Sequence, residues 1–301
     1  MAKERTPEID KLYADVLDYR RTADFKNLLE FVARFRDVAP YNAMLIHTQK
    51  PGSTYVASAS DWKLRFHRKV KAGARPLQIL RPFGPVAFVF EYNDTEGRPL
   101  PDKMVRPFMV NNPVEKYQLD RIIKAAGFEG IDVGFQQYGT SRGGQLEYSD
   151  YVNTLIFEHG SKRYYIESNY SIVINAASTI AEQFNTMLHE LGHYFCGHLN
   201  YNNLKWIPKR TGLSKEEVEF EAETVCWLVC QRLGIESISV RYLSGYLENK
   251  EYIPDVSVDA MLKAAGKIES MLTEEIKPRK ELITKEIDLS GQINMFDMFD
   301  T

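Results

Sequence analysis

Apolar residues recur at helical spacing from early in the chain: Leu12, Val16 and Leu17, then Leu28, Leu29, Val32 and Phe35. This spacing predicts helix over residues 7–37. Pro7 suits a first helical turn, and a break is expected near Thr22-Ala23-Asp24, where Thr22 or Asp24 can cap a second helix. A short helix over 41–50 is stopped by Pro51-Gly52, and another is expected around 61–66. The pattern then changes. Leu77-Gln78-Ile79-Leu80 and Val86-Ala87-Phe88-Val89-Phe90 read as strands on either side of Pro82-Phe83-Gly84-Pro85. Residues 93–97 form a turn cluster, and the Pro-rich stretch 97–113 reads as a linker between domains.

An amphipathic helix over 113–126, ended by Gly127, opens the second half. Strands over 152–158 and 162–167 flank Gly160-Ser161 as a hairpin, and Ser171-Ile172-Val173-Ile174-Asn175 reads as a third strand, expected to be the edge onto which a substrate adds as an extra strand. The Gly-rich loop 139–144 is flexible by composition. Helices are expected over 178–196, 214–233, 236–248 and 256–273, followed by a polar stretch with a short apolar tip. The expected class is therefore α+β. A helical, small-sheet domain occupies 1–110, a second domain 111–275, and a tail 276–301.

Composition fits a globular protein: 301 residues, 44% hydrophobic and 26% charged. That length is enough to bury a core. The sequence has no apolar run of about 18 residues, so no membrane span is expected. The opening Met1-Ala2-Lys3-Glu4-Arg5 lacks an apolar leader segment, so a cytoplasmic location is expected. The three cysteines include no CxxC pair. They read as buried reduced thiols, because thiolate metal ligation would need closer pairing. Net charge is −3, which argues against a molecule that binds nucleic acid with its whole surface. Basic charge is nevertheless local: Lys63, Arg65, Arg68, Lys69, Lys71, Arg75 and Arg81 lie within 61–81, against the single acid Asp61.

The candidate chemistry lies in His189-Glu190-Leu191-Gly192-His193, an HExxH pattern. Positions i and i+4 project from one helix face, so both imidazoles can reach one Zn²⁺. Glu190 falls beside them as a general base that polarises water. The helix is apolar at Phe184, Met187, Leu188, Leu191 and Phe195, so the histidines project from a buried element, which strengthens the motif; the competing reading is a pair of satisfied core histidines. A third ligand is required. Glu216, Glu217, Glu219, Glu221 and Glu223 share one downstream helix, and most of such a run is a solvated face. Glu221-Ala222 ahead of an apolar stretch looks like the glutamate helix of gluzincins, which makes Glu221 the expected ligand. Glu223 is the alternative ligand, or a group that orients a ligand histidine. His198 stabilises a transition state in one reading and is a polar residue at the helix end in the other. Mn²⁺ or another divalent ion also suits a His/His/Glu site.

His189-Glu-Leu-Gly-His193-Tyr-Phe-Cys-Gly-His198 followed by Glu219-Phe-Glu221-Ala-Glu223 resembles ImmA/IrrE-type metallopeptidases, over approximately 150–250. The resemblance implies a zincin-like domain that cleaves a regulatory or DNA-associated protein in a phage or mobile-element setting. The N-terminal half resembles the single-stranded-DNA-binding domain of ArdC-like antirestriction proteins. The residues that carry this are Tyr41-Asn42-Ala-Met-Leu45, Gln49-Lys-Pro51, Trp62, and Arg68-Lys-Val-Lys71-Ala-Gly73-Ala-Arg75-Pro76. Lys63, Arg65, Arg68, Lys69, Lys71 and Arg75 would then follow a phosphate backbone, with Tyr41, Tyr55, Trp62 and Phe66 as stacking rings. The competing reading makes Trp62 and Phe66 core residues and the charges an ordinary surface.

Gln292-Ile293-Asn294-Met295-Phe296 resembles the bacterial sliding-clamp-binding pentapeptide, in which Gln292, Ile293, Met295 and Phe296 anchor in a pocket. The alternative folds these residues back onto the protein's own surface. Taken together, the residues point to a metallopeptidase acting on a protein substrate, with single-stranded DNA as a second partner and no membrane. A non-proteolytic DNA-binding antirestriction factor with a structural or dispensable metal is the alternative. A hydrolase of a non-protein amide is a third reading.

Overall fold

The computed structural model describes residues 22–81, 86–101, 104, 112–137, 143–199, 204–235 and 252–290. The expected helices over 7–21 and 236–248, most of the 97–113 linker and the pentapeptide 292–296 lie outside them. The fold is α+β. Two compact units divide the chain, and neither is continuous in sequence: Met1–Asn112 joins Leu213–Gly266, and Pro113–Gly212 joins Lys267–Thr301.

In the first unit, helix α1 (Thr22–Arg34) places Phe25, Leu28, Phe31 and Val32 inward. Helix α2 (Pro40–Gln49) starts on Pro40, whose missing N–H costs nothing in a first turn. Four short elements follow: β1 (Val56–Ala57), α3 (Ala59–Leu64), β2 (Arg68–Val70) and β3 (Leu77–Ile79). Then come β4 (Ala87–Glu91), a 3-10 turn at Tyr92–Asp94, and β5 (Thr95–Gly97). The small sheet has the order β1-β4-β3, all antiparallel, and β2 pairs with β5 as a separate ribbon. Tyr55, Trp62 and Leu100 form a cluster beneath them, with Phe66 and Tyr92 packed against it.

Helix α6 (Lys215–Leu233) completes this unit. Phe220 meets Phe25 at 5.7 Å between ring centres. Arg232 donates to the carbonyls of Val32 (2.8 Å), Phe35 (2.7 Å) and Val38 (2.8 Å), in the last turn of α1 and the chain just beyond it. One guanidinium thereby fixes the end of α6 to the end of α1.

The second unit begins with helix α4 (Lys116–Phe128) and strand β6 (Ile131–Gln136). Helix α4 runs through Gly127, where the sequence predicted its end; the left-handed residue is Gly130 instead, with φ at 78°. Strands β7 (Gly144–His159) and β8 (Lys162–Asn175) then form a long hairpin, and helix α5 (Ile180–Cys196) returns over the sheet. Helix α7 (Val258–Thr273) contains the division between the units, and β9 (Ile283–Asp288) follows it. The expected strands 162–167 and 171–175 are one strand. Along β8, the even-numbered Ile166, Tyr170, Ile172 and Ile174 are buried, together with Ile131 and Leu146 on its neighbours.

Strand β8 is interior throughout. Strand β6 runs parallel to its second half, β9 antiparallel to its first half, and β7 antiparallel along most of its length. The expectation that 171–175 forms an exposed edge is therefore corrected. Among the described residues β7 has a strand partner on one side only, so β7 is the edge beside α5. No described helix is long and apolar enough to cross a membrane.

Candidate metal centre

Helix α5 is held at both ends. At its start Thr179 Oγ1 accepts the Glu182 N–H at 3.3 Å, and Glu182 Oε2 accepts the Thr179 N–H at 2.7 Å, a reciprocal capping box. These bonds to Thr179 hold the Glu182 carboxyl below its ordinary pKa. At its end Gly197 takes a left-handed φ of 78°. The chain bends back there, and the His198 N–H reaches the His193 carbonyl at 3.1 Å.

The two helical histidines meet as the spacing requires. His189 Nε2 and His193 Nε2 lie 3.0 Å apart and both rings are half-buried. Two nitrogens about 2.0–2.1 Å from one tetrahedral ion stand roughly 3.3 Å apart, so this pair fits a shared zinc ion to within a few tenths of an ångström. His193 Nδ1 faces His198 Nδ1 at 2.8 Å. When Nε2 of His193 faces a cation, its proton sits on Nδ1 and is donated to His198. His198 thus contacts His193, an arrangement its position in the sequence left open.

Glu190, one residue along the helix from His189, is only 8% exposed. Its Oε2 accepts the backbone N–H of Leu146 in β7 at 3.0 Å. Strand geometry explains why that N–H is available. Gly143 O accepts the Asn175 N–H, so Gly143, Gln145 and Glu147 turn their backbone groups towards β8. Gly144, Leu146 and Tyr148 turn theirs away, along the edge where Glu190 sits. Helix α5 approaches β7 closely because residue 144 has no side chain. A Cβ there would stand 2.5 Å from Thr186 Cγ2 and 2.7 Å from the Val173 carbonyl. Tyr148, Tyr170 and Tyr194 meet in succession at 5.3 and 5.0 Å, the first pair tilted and the second edge-to-face, and burial pushes the Tyr170 and Tyr194 phenols well above their ordinary pKa.

The expected carboxylate ligands belong to the first unit, on α6. Glu221 is completely buried, and its Oε1 accepts the Ser257 N–H at 2.7 Å. Ser257 Oγ in turn accepts the Ala260 N–H at 3.1 Å, so Glu221 supports the start of α7. Glu219 and Glu223, four residues apart, share a different face of α6 and are half-buried. That shared face was legible in the spacing, and the sequence reading passed over Glu219.

The expected DNA-contacting residues divide into two groups. Trp62 is 0% exposed and its indole N–H donates to Phe90 O at 2.8 Å, so its ring presents no stacking face. Tyr41 is buried too, with Lys263 Nζ 5.4 Å from its ring centre. Arg68 is buried and donates to Thr95 Oγ1 and Thr95 O, each at 2.8 Å, and to the carbonyls of Gly97 and Arg98. These three build the core; the competing reading expected that of Trp62, but it took Arg68 for surface charge and did not include Tyr41. Lys63, Arg65, Lys69, Lys71 and Arg75 are exposed.

Residues 153–229 match the Peptidase_M78 family model, described as an IrrE N-terminal-like domain. The matched span runs from β7 into α6. It contains His189, Glu190, His193 and the α6 glutamates, so the chain carries a segment similar to a metallopeptidase domain. The chain is also similar to a Bacillus anthracis protein described as uncharacterized, with 24% identity over 300 residues. That similarity covers 84% of this chain and 48% of the relative, so the chain spans about half the length of its relative. No solved structure matches.

Proposed function

We propose that this protein is a zinc-dependent peptidase of the HExxH, gluzincin-like type. The observation that carries the reading is the pair of imidazole nitrogens 3.0 Å apart, with the Glu190 carboxylate on the outward edge of β7. His189, His193 and a carboxylate of α6 would hold the ion; Zn²⁺ is the expected metal, with Mn²⁺ as the alternative. When bound, the ion supplies a Lewis acid for the scissile carbonyl and lowers the pKa of water from 15.7 to about 7.

The residues supply the rest. His198 keeps the His193 proton on Nδ1. A protein substrate adds as an extended strand to the edge of β7, where the outward carbonyls of Gly144, Leu146 and Tyr148 and the Tyr148 N–H align its main chain, the Leu146 N–H being held by Glu190. Glu190 takes the proton of the attacking water and returns it to the leaving amine. Glu221 is the ligand expected from the sequence. Glu219 is a second reading, supported by two observations: Glu221 is engaged by Ser257, and Glu219 lies on the other face of α6.

The deciding experiment pairs zinc content with cleavage of an unfolded protein such as casein. Glu190→Gln is expected to keep the wild-type zinc content and lose activity about 10²–10⁴-fold. His189→Ala is expected to lose both. A Glu190→Gln protein that cleaves like wild type, or a His189→Ala protein that holds zinc like wild type, would overturn the reading.

The exposed cluster Lys63, Arg65, Lys69, Lys71 and Arg75 supports single-stranded-DNA binding by the first unit through phosphate contacts. It equally supports the alternative of a non-proteolytic DNA-binding antirestriction factor, which predicts that Glu190→Gln keeps full biological activity. The clamp-binding role of 292–296 is also a proposal, tested by whether Phe296→Ala abolishes capture by purified sliding clamp.

A further inference from the structure

Four residues of β7 face a single residue of β8. Tyr148 pairs with Tyr170 and Asn153 with Ser168, so Ser149, Asp150, Tyr151 and Val152 stand opposite Asn169 alone. The extra length is a bulge, which bends the strand and turns side chains away from the regular ladder. It is tied in place. Asn169 Nδ2 donates to Ser149 O at 3.0 Å, and the Tyr151 N–H donates to Ser149 Oγ at 3.1 Å. The bulge lifts an apolar pair into solvent: Tyr151 is 85% exposed and Val152 56%.

Position gives this pair a use. Tyr151 lies five residues beyond Leu146, whose N–H meets Glu190. At about 3.3 Å per residue that is at most roughly 17 Å along the same edge. A chain laid on β7 with its scissile bond near Glu190 passes the bulge about three to five residues away. An exposed tyrosine beside an exposed valine, on a bulge fixed by two hydrogen bonds, offers an apolar side chain of that chain a surface to cover.

We infer that Tyr151 and Val152 select the substrate: the enzyme prefers an extended, unfolded polypeptide carrying a large apolar or aromatic residue about three to five positions from the cleaved bond. The inference rests on the peptidase reading above and names the substrate class of that same site. Both side chains are exposed, so Tyr151→Ser and Val152→Ser leave the core intact.

The test uses the full-length, zinc-loaded protein and peptides of fixed sequence in which one phenylalanine is moved stepwise away from the cleavage site. For wild type, one or two phenylalanine positions are expected to lower KM about tenfold or more, with kcat nearly constant. Tyr151→Ser is expected to remove that preference through KM, and Tyr151→Phe to restore it. Preference unchanged in both serine variants overturns the inference while the peptidase reading stands. A wild-type enzyme that cleaves none of the peptides, nor casein, overturns the peptidase reading and the inference together.

Discussion

The two ring nitrogens of His193 have different duties: Nε2 meets His189 Nε2, and Nδ1 meets His198. Removing His198 leaves His193 Nε2 beside His189 but frees the ring to rotate and to change tautomer. His198→Ala is therefore expected to weaken zinc binding about 10–100-fold, measured by competition with a chromophoric chelator. On α6 the carboxylates separate by the same logic. Glu221→Ala strands the Ser257 N–H and is expected to cost about 1–3 kcal/mol in denaturant unfolding of the metal-free protein. If Glu219 is the ligand, Glu219→Ala lowers zinc affinity and leaves metal-free stability nearly unchanged. The histidine pair was legible in the sequence because helical geometry alone brings i and i+4 together. Trp62 and Arg68 were not. An aromatic and a cation at that spacing look the same whether they face solvent or, as here, a carbonyl of the core.

At the scale of elements, the approach of α5 to β7 depends on Gly144. Gly144→Val puts carbon where Thr186 Cγ2 would be only 2.5 Å away, and the Val173 backbone on the other side cannot yield. The expected cost is about 1–3 kcal/mol in thermal or denaturant unfolding, together with displacement of Glu190 from Leu146 and loss of peptidase activity. Thr179→Ala removes the cap at the far end of α5 and is expected to cost about 1 kcal/mol without affecting the histidines. Helices α5 and α6 were legible because each opens on a capping box and stops at a left-handed glycine, Gly197 and Gly234. Strands β6 and β9 were not. Ile131-Asp132-Val133-Gly134 carries a glycine and an aspartate, and 283–288 is mostly polar. Both are strands because β8 supplies the partner, and that pairing is set by tertiary structure, not by local pattern.

At the scale of the whole molecule, one titrating side chain contributes to the acid sensitivity of the first unit. His47 lies 4.8 Å from the Phe31 ring, and burial first, with the charge of Arg34 second, holds its pKa below the ordinary 6.5. The unfolded chain therefore takes up this proton more readily than the folded one. Stability falls as the pH drops from about 6.5 through the depressed value, and above 6.5 the group contributes no pH dependence. Thermal melts at about pH 8 and about pH 5.5 are expected to differ less in His47→Gln than in wild type. The sequence indicated a boundary near 110, but it could not reveal that α6 packs with α1, because order along a chain does not say which helices meet. That interleaving has a consequence during synthesis. Helix α1 leaves the ribosome with the Phe25 side of its apolar face uncovered and the Val32 carbonyl waiting for Arg232, which follows roughly 200 residues later. At about 5–20 residues per second the nascent chain stays in that state for roughly 10–40 s, an interval in which a chaperone can bind it.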